Sequence, residues 1–429
     1  MFINESFLSF VWQYTYFNVR HLVVSDGQSL EIIFPGHLNT NAGPDFTGAR
    51  IQIDKITWIG AIEIHVKSSH WQFHHHQFNA NYNKVVLHVV WENDQPVLRQ
   101  DQSEIPTLEL KGRVSGDLID RFRKLIYYSE RKIACGSQLK NVNRFTILNM
   151  VQKTLIMRLE RKASDIFHLL NECNNDWDEI TYRCLAKNFG FKINQENMLL
   201  LSKFLPLKII LRHSNDVFRL EALLFGIAGF LDEKKDNYQL ELKNEYAYLR
   251  HKYHLDFEFL KRYQWKFLRL HPQNFPTIRI SQLATFISKV RNAFSYILNT
   301  TDVHQIYNDL SVIQSEYWQR HYDFGEKSKL TLKGLGKFSI DNIIINSFVP
   351  ILYTYGKFAD NESYIDRGIT LLESIPYENN KIIRYWKNLE IVMYNAADSQ
   401  GFIELYNNFC YKKQCLNCNI GTEILLNSK

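Results

Sequence analysis

The sequence predicts an α+β N-terminal domain, a small mixed sheet with flanking helices, followed by a mainly α-helical region. Up to about residue 110, short runs rich in β-branched and aromatic residues are separated by Gly, Pro, Asn and Asp. From about Val114 onward, apolar residues recur instead at helical spacing, with Lys and Arg between them. The charge balance changes at the same place. Residues 1–110 hold 6 Lys/Arg against 11 Asp/Glu, whereas residues 111–163 hold 13 against 4. With 429 residues and 45% apolar content, the chain is long enough for two or three cores. We place a boundary near residue 112, giving parts 1–112 and 113–429, with a sub-boundary near 260.

The spacing predicts a helix over roughly Asn4–Phe17 and then a strand near Leu30–Phe34. The polar loop from Pro35 to Pro44 contains the residues of a tight reversal. A strand Ala49–Ile53, a short turn at Asp54-Lys55 and a long strand Thr57–Lys67 follow. Beyond an aromatic and histidine stretch from Trp71 to Tyr82, the run Val85–Trp91 is apolar enough to be buried on both faces. Thr107–Leu110 closes the domain. Helices are predicted over Phe145–Leu170, Met198–Phe204, Glu221–Phe230, Ile280–Ile297 and Ile340–Tyr355. A helix pair over Asn361–Glu390 breaks near Pro376.

No run of eighteen or more apolar residues is present, which excludes a membrane-spanning helix. The N-terminus carries Glu5 early and no basic leader, so it reads as part of the fold and not as a signal peptide. Six cysteines without an export signal point to a reducing, cytoplasmic setting. An acidic, histidine-rich domain joined to basic helices over 111–163 suits an enzyme acting on DNA or RNA. The alternative is a solvated helix surface. Oligomeric state leaves no mark on the sequence.

Chemistry concentrates between Gly36 and Val90. Asp45 is followed eighteen positions later by Glu63-Ile64-His65-Val66-Lys67, then by His70, His74, His75, His76 and His88. Side chains alternate along a strand, so Glu63, His65 and Lys67 share a face. The placement of Asp45 depends on the hairpin. A two-residue loop sets it opposite Ile64, on the wrong face, whereas a three-residue loop sets it opposite His65. A bulge at Gly48 or Gly60 also changes the parity.

The order helix, strand, Pro44-Asp45, then Glu63-x-His65 resembles the PD-(D/E)XK nuclease superfamily, which implies a restriction-endonuclease-like fold for the first domain. The resemblance implies that Asp45 and Glu63 bind Mg or Mn, and that a lysine beside them orients the attacking water. This chain departs from the pattern with His65 at the lysine position, and Lys67, two residues on, is the substitute. Catalytic candidates are therefore Asp45, Glu63, His65 and Lys67. A second reading takes His74, His76, His65 and Glu63 as ligands of a transition metal in a hydrolase of a small substrate. A third is an inactive scaffold that binds nucleic acid or protein. His88, in an apolar strand, reads as a core histidine.

Near the C-terminus, Cys410, Cys415 and Cys418 form C-x₄-C-x₂-C. With Cys135 as a distant fourth ligand, they can hold Zn or an iron–sulfur cluster. Three partly buried free thiols are the alternative. Some iron–sulfur nucleases have a similar split, but there the upstream cysteine precedes the nuclease core, whereas Cys135 follows it.

The phrases PGHLNTNAGPDF, GAIEIHVKSSHW, YNKVVLHVVWEND, EALLFGIAGFL and HPQNFPTIRISQLA, with the cysteine tail, resemble an uncharacterised bacterial family, domain of unknown function 2851. That resemblance implies a shared architecture and transfers no catalytic residue.

Overall fold

The computed structural model describes residues 3–127, 132–233, 235–255, 260–329, 331 and 333–426. It forms two compact units, one of residues 1–151, 384–391 and 404–429, the other of 152–383 and 392–403. The α+β part read over 1–112 is thus one portion of a first unit that extends to 151 and takes in the end of the chain. Packing accounts for the extension. The ring of Phe7 stacks on that of Phe122 at 4.3 Å, fastening the helix Gly116–Ile126 to the N-terminal helix.

In the first unit, helix α1 (Glu5–Gln13) opens on Asn4, whose side chain accepts the Phe7 N–H at 2.9 Å. Its buried stripe is Phe7, Leu8, Phe10, Val11 and Trp12. The strands are β1 (Leu22–Val23), β2 (Ser29–Phe34), β3 (His37–Leu38), β4 (Phe46–Ile53), β5 (Ile56–Lys67), β6 (Val85–Glu92) and β7 (Thr107–Glu109). They form one mixed sheet in the order β1-β2-β4-β5-β6-β7, with β3 on β4. The first part is antiparallel, while β6 runs parallel to both β5 and β7. A strand flanked on both sides in a parallel arrangement is covered on both faces. Residues 85–91 are buried accordingly, as the unbroken apolar run predicts.

The β4–β5 hairpin settles the parity question. Its loop has two residues, since Ile53 pairs with Ile56. Followed without interruption, that register would set Asp45 opposite Ile64. Between Ala49↔Gly60 and Phe46↔Ile62, however, the register shifts by one, so that Thr47 and Gly48 together face Ala61. Gly48 has φ +67, the left-handed conformation of a bulge glycine. Asp45, one residue before Phe46, therefore stands opposite Glu63.

The second unit is helical. Its helices include Trp177–Phe189, Val217–Ile227, Asn237–Tyr253 and Pro276–Lys289. The predicted helix over Ile280–Ile297 is instead two, Pro276–Lys289 and Ala293–Asn299, because Asn292 leaves the helical region and caps the second by accepting the Ser295 N–H. The run Ile340–Tyr355 is helical with one wide turn at Ile344–Phe348 ahead of Pro350. In the phrase EALLFGIAGFL the acid is part of the packing. Glu221 is fully buried and accepts hydrogen bonds from Tyr238 Oη (2.6 Å), Ser281 Oγ (2.5 Å) and Trp318 Nε1 (3.2 Å). No helix among the described residues is long and apolar enough to cross a membrane.

A Cβ added at Gly48 meets nothing within 4 Å, so the cost of a substitution there is conformational. Gly48→Val should destabilise the protein by about 1–3 kcal/mol. Gly48→Asn should cost less, because asparagine tolerates the left-handed region. Urea denaturation checks this, and equal midpoints for both variants and wild type would contradict the bulge.

Candidate metal centre

The bulge at Gly48 locks the two acids together. Asp45 donates its backbone N–H to Glu63 Oε2 at 3.1 Å, and Ile64 donates its N–H to Asp45 Oδ2 at 2.9 Å. Each carboxylate is thus held by the other residue's strand. Glu63 is only 5% exposed, so its carboxylate faces the interior and not the surface.

Strand alternation places His65 on the same face as Glu63, and parallel pairing brings His88 beside Glu63 on β6. His65 Nδ1 lies 2.8 Å from His88 Nε2, so one ring donates to the other. After Lys67 the chain makes a short helix, α2 (His70–Phe73), and a 3₁₀ turn, His76–Phe78. His75 between them has φ +59, a left-handed hinge. The hinge returns the chain on itself, so that His74 and His76 both approach His65 while His75 stays exposed.

The nitrogens of His65, His74 and His76 lie within 4.8 Å of one another. His65 Nε2 is 3.1 Å from His74 Nδ1, and Glu63 Oε1 is 3.6 Å from His65 Nε2 and 3.3 Å from His76 Nε2. Ligands bonded at about 2.0–2.1 Å to one ion stand about 3–3.5 Å apart, which is the spacing seen here. His76 Nε2 is buried without a hydrogen-bond partner. A buried polar atom in that position costs free energy unless something binds it. Three imidazoles and a carboxylate are the donor set of Zn, Mn or Fe more than of Mg, which prefers oxygen. His65 is buried, His76 half-buried and His74 exposed, so the cluster opens to solvent on one side.

The electrostatics point the same way. Burial pushes Glu63 up to about 8, against the lowering effect of the Asp45 N–H bond, and Glu5 adds to the rise. Burial and then the Glu63 charge push Asp45 up to about 7. Burial and the neighbouring imidazoles push His65 down to about 2, and burial pushes His88 down to about 3. His65 is therefore neutral at physiological pH. It cannot supply the positive charge of the lysine whose position it occupies in the nuclease pattern, but a neutral imidazole is the form that ligates a metal. A cation here would relieve the repulsion among the acids and need no imidazole to ionise.

Lys67 lies two residues beyond His65, but its ammonium pairs with Asp94 at 3.7 Å. Asp94 also accepts from Ser68 Oγ and from the N–H and Oγ of Ser69. His70 faces Glu5 at 3.6 Å. Two residues of the site were missed in the sequence. Glu5 acts on Asp45, Glu63 and His76 from the first turn of α1, and its place at a helix start after Asn4 was the available signal. Tyr82 stacks on His76 at 3.8 Å between centroids. Only its proximity to the histidine run hinted at this.

A family model described as "Protein of unknown function (DUF2851)" matches residues 5–381. The chain belongs to this family. The matched span begins at Glu5, takes in every residue of the site, and stops short of Cys410, Cys415 and Cys418. No curated protein and no solved structure matches the chain.

A group whose carboxyl is raised on folding stabilises the fold where it is protonated. The metal-free protein should therefore lose stability as pH rises from about 4.5 to about 8 through Glu63. Glu63→Gln removes that loss and part of the cause of the Asp45 shift. By thermal melting in chelator, Glu63→Gln should exceed wild type by about 2–4 °C near pH 9, with the advantage gone below about pH 5. A wild-type advantage across the whole range would contradict the assigned shift.

Proposed function

We propose that the protein is a metal-dependent hydrolase, with His65, His74, His76 and Glu63 holding a divalent transition metal and Asp45 beside them. The carrying observation is the approach of three imidazole nitrogens to within 4.8 Å, with the Glu63 carboxylate 3.3–3.6 Å from two of them. The two site readings of the sequence, an acidic pair and a histidine cluster, thus become one centre. Bound there, the ion supplies Lewis acidity and a water of lowered pKa.

The protein's own side chains supply the rest. His88 fixes the His65 ring through the bond to Nδ1 and so turns Nε2 toward the cluster. Tyr82 and Trp71 pack on His76 and hold its plane. Asp45, anchored by the Ile64 N–H beside these residues, is suited to take a proton from an attacking water. The exposed side at His74 admits substrate.

A phosphodiester of DNA or RNA is the substrate class we favour. The acid pair follows the order of the PD-(D/E)XK pattern on a mixed sheet, and the segment from 111 onward is basic. Part of that charge is already engaged. Lys111 pairs with Glu92, Arg123 with Asp120 and Lys140 with Glu390, while Arg131 lies outside the described residues. The positive charge left for phosphate is thus smaller than the composition alone suggests, and binding should weaken with salt.

Untagged protein purified without added metal should carry, or take up on titration, about one equivalent of Zn, Mn or Fe at the histidine centre. His74→Ala and His76→Ala should weaken that binding by at least about 10–100-fold. Cleavage of single- and double-stranded DNA and RNA, and of a nitrophenyl phosphodiester, should follow metal occupancy and fall in Glu63→Ala and Asp45→Ala. Metal binding without turnover on any of these would leave a small non-phosphate substrate. Nucleic-acid binding unaffected by all four substitutions, with no turnover, would replace the hydrolase with a scaffold.

A further inference from the structure

The cysteine tail lies outside the hydrolase reading, and in the first unit it meets the distant Cys135. Cys135 follows the turn after Ile133, and its carbonyl accepts the Gln138 N–H at 2.9 Å. Cys410 ends a wide helical turn (Tyr406–Cys410), Cys415 opens a 3₁₀ turn (Cys415–Asn417), and Cys418 precedes the helix Asn419–Leu426. Lys413, with φ +53, reverses the chain between the first two. Gly421 lets that helix pack directly on the Cys415 backbone, since a Cβ there would fall 2.1 Å from the Cys415 carbonyl oxygen. Cys135, Cys415 and Cys418 are buried, and none of the six cysteines is in a disulfide. Cys135 and Cys410 are each within electrostatic range of the other and of Cys415 and Cys418.

We propose that Cys135, Cys410, Cys415 and Cys418 together ligate an iron–sulfur cluster. Four thiols, brought from two ends of the chain into one buried place and left unbridged, are a complete ligand set for such a cluster. Spacing distinguishes a cluster from a single ion. Tetrahedral zinc with bonds of about 2.3 Å would draw all four sulfurs to about 3.8 Å from one another. Yet among the described residues no three of these sulfurs come within 4.8 Å of one another. A cluster divides its thiolates among its irons, two on each in [2Fe–2S] and one on each in [4Fe–4S], so no three of them share one ion's shell. The C-x₄-C-x₂-C run with a fourth, distant cysteine is also an iron–sulfur spacing. Assembly needs sulfide with ferrous and ferric iron from solution, the ferric iron supplying both irons of an oxidised [2Fe–2S] core or half those of a [4Fe–4S] core, and each thiol loses its proton to solvent as its iron–sulfur bond forms. Without the cluster, burial holds the Cys135, Cys410 and Cys415 thiols protonated and raises Cys415 to about 12, although Lys413 acts to lower it.

The test uses full-length, untagged protein purified without oxygen and then treated with ferrous and ferric iron and sulfide. Wild type should hold about two or four irons with matching acid-labile sulfide, and either count supports the cluster. Visible absorption should bleach on reduction. Cys415→Ser and Cys418→Ser should lose at least about fivefold of the sulfide, while Cys173→Ser, Cys184→Ser and His74→Ala retain it. The histidine variant separates this centre from the proposed hydrolase site, so failure of one does not sink the other. If serine variants do not fold, the wild-type stoichiometry still decides. About one zinc per chain without sulfide, or no sulfide-matched iron after treatment, would overturn the proposal.

Discussion

One extra residue in one strand determines which of this protein's charged side chains can act together. In a two-residue hairpin of unbroken register, Asp45 would face Ile64 and project away from Glu63. The left-handed turn at Gly48 absorbs a residue, and everything N-terminal to it changes face. Asp45 then exchanges backbone-to-carboxylate hydrogen bonds with the Glu63 strand, and both carboxyls sit in a place where ionisation is costly. The raised acids and lowered imidazoles are consequences of that arrangement together with burial.

Such a cluster is expensive without a counter-ion. Buried carboxylates, neutral imidazoles and an orphaned His76 nitrogen each cost free energy that the surrounding apolar packing must offset. The sheet provides a rigid base, because β6 is buried between two parallel neighbours and carries His88 against His65. The other two imidazoles come from a short helix and a 3₁₀ turn hinged at His75. The centre thus combines a fixed half, Glu63 and His65, with a half on connecting segments, His74 and His76. This division suits an ion that must be held firmly and still present a face to solvent.

Much of the fold was legible because its signals are local. Alternation and apolar runs mark β5 and β6, Asp54-Lys55 marks the turn, and helical spacing marks Arg144–Glu172. The site was legible as composition but not as geometry. Parity depends on whether Gly48 is bulged, and a glycine in a strand permits a bulge without requiring one. The two site readings share Glu63, and spacing alone does not show that the His75 hinge returns His74 and His76 to the strand carrying it. Lys67 alternates correctly, yet Asp94, twenty-seven residues on, holds its charge. Glu5 lies forty residues before Asp45, beyond any local pattern.

The DUF2851 match spans the site and most of the helical unit, an architecture and not an isolated motif. The proposed centre is one ion held by His65, His74, His76 and Glu63. X-ray absorption at the metal edge, on protein loaded with one equivalent of zinc or manganese, tests this most directly. The shell should be nitrogen-rich, with about three imidazoles at about 2.0–2.2 Å, reduced by one imidazole in His76→Ala. An all-oxygen shell, or a shell unchanged by His76→Ala, would contradict it.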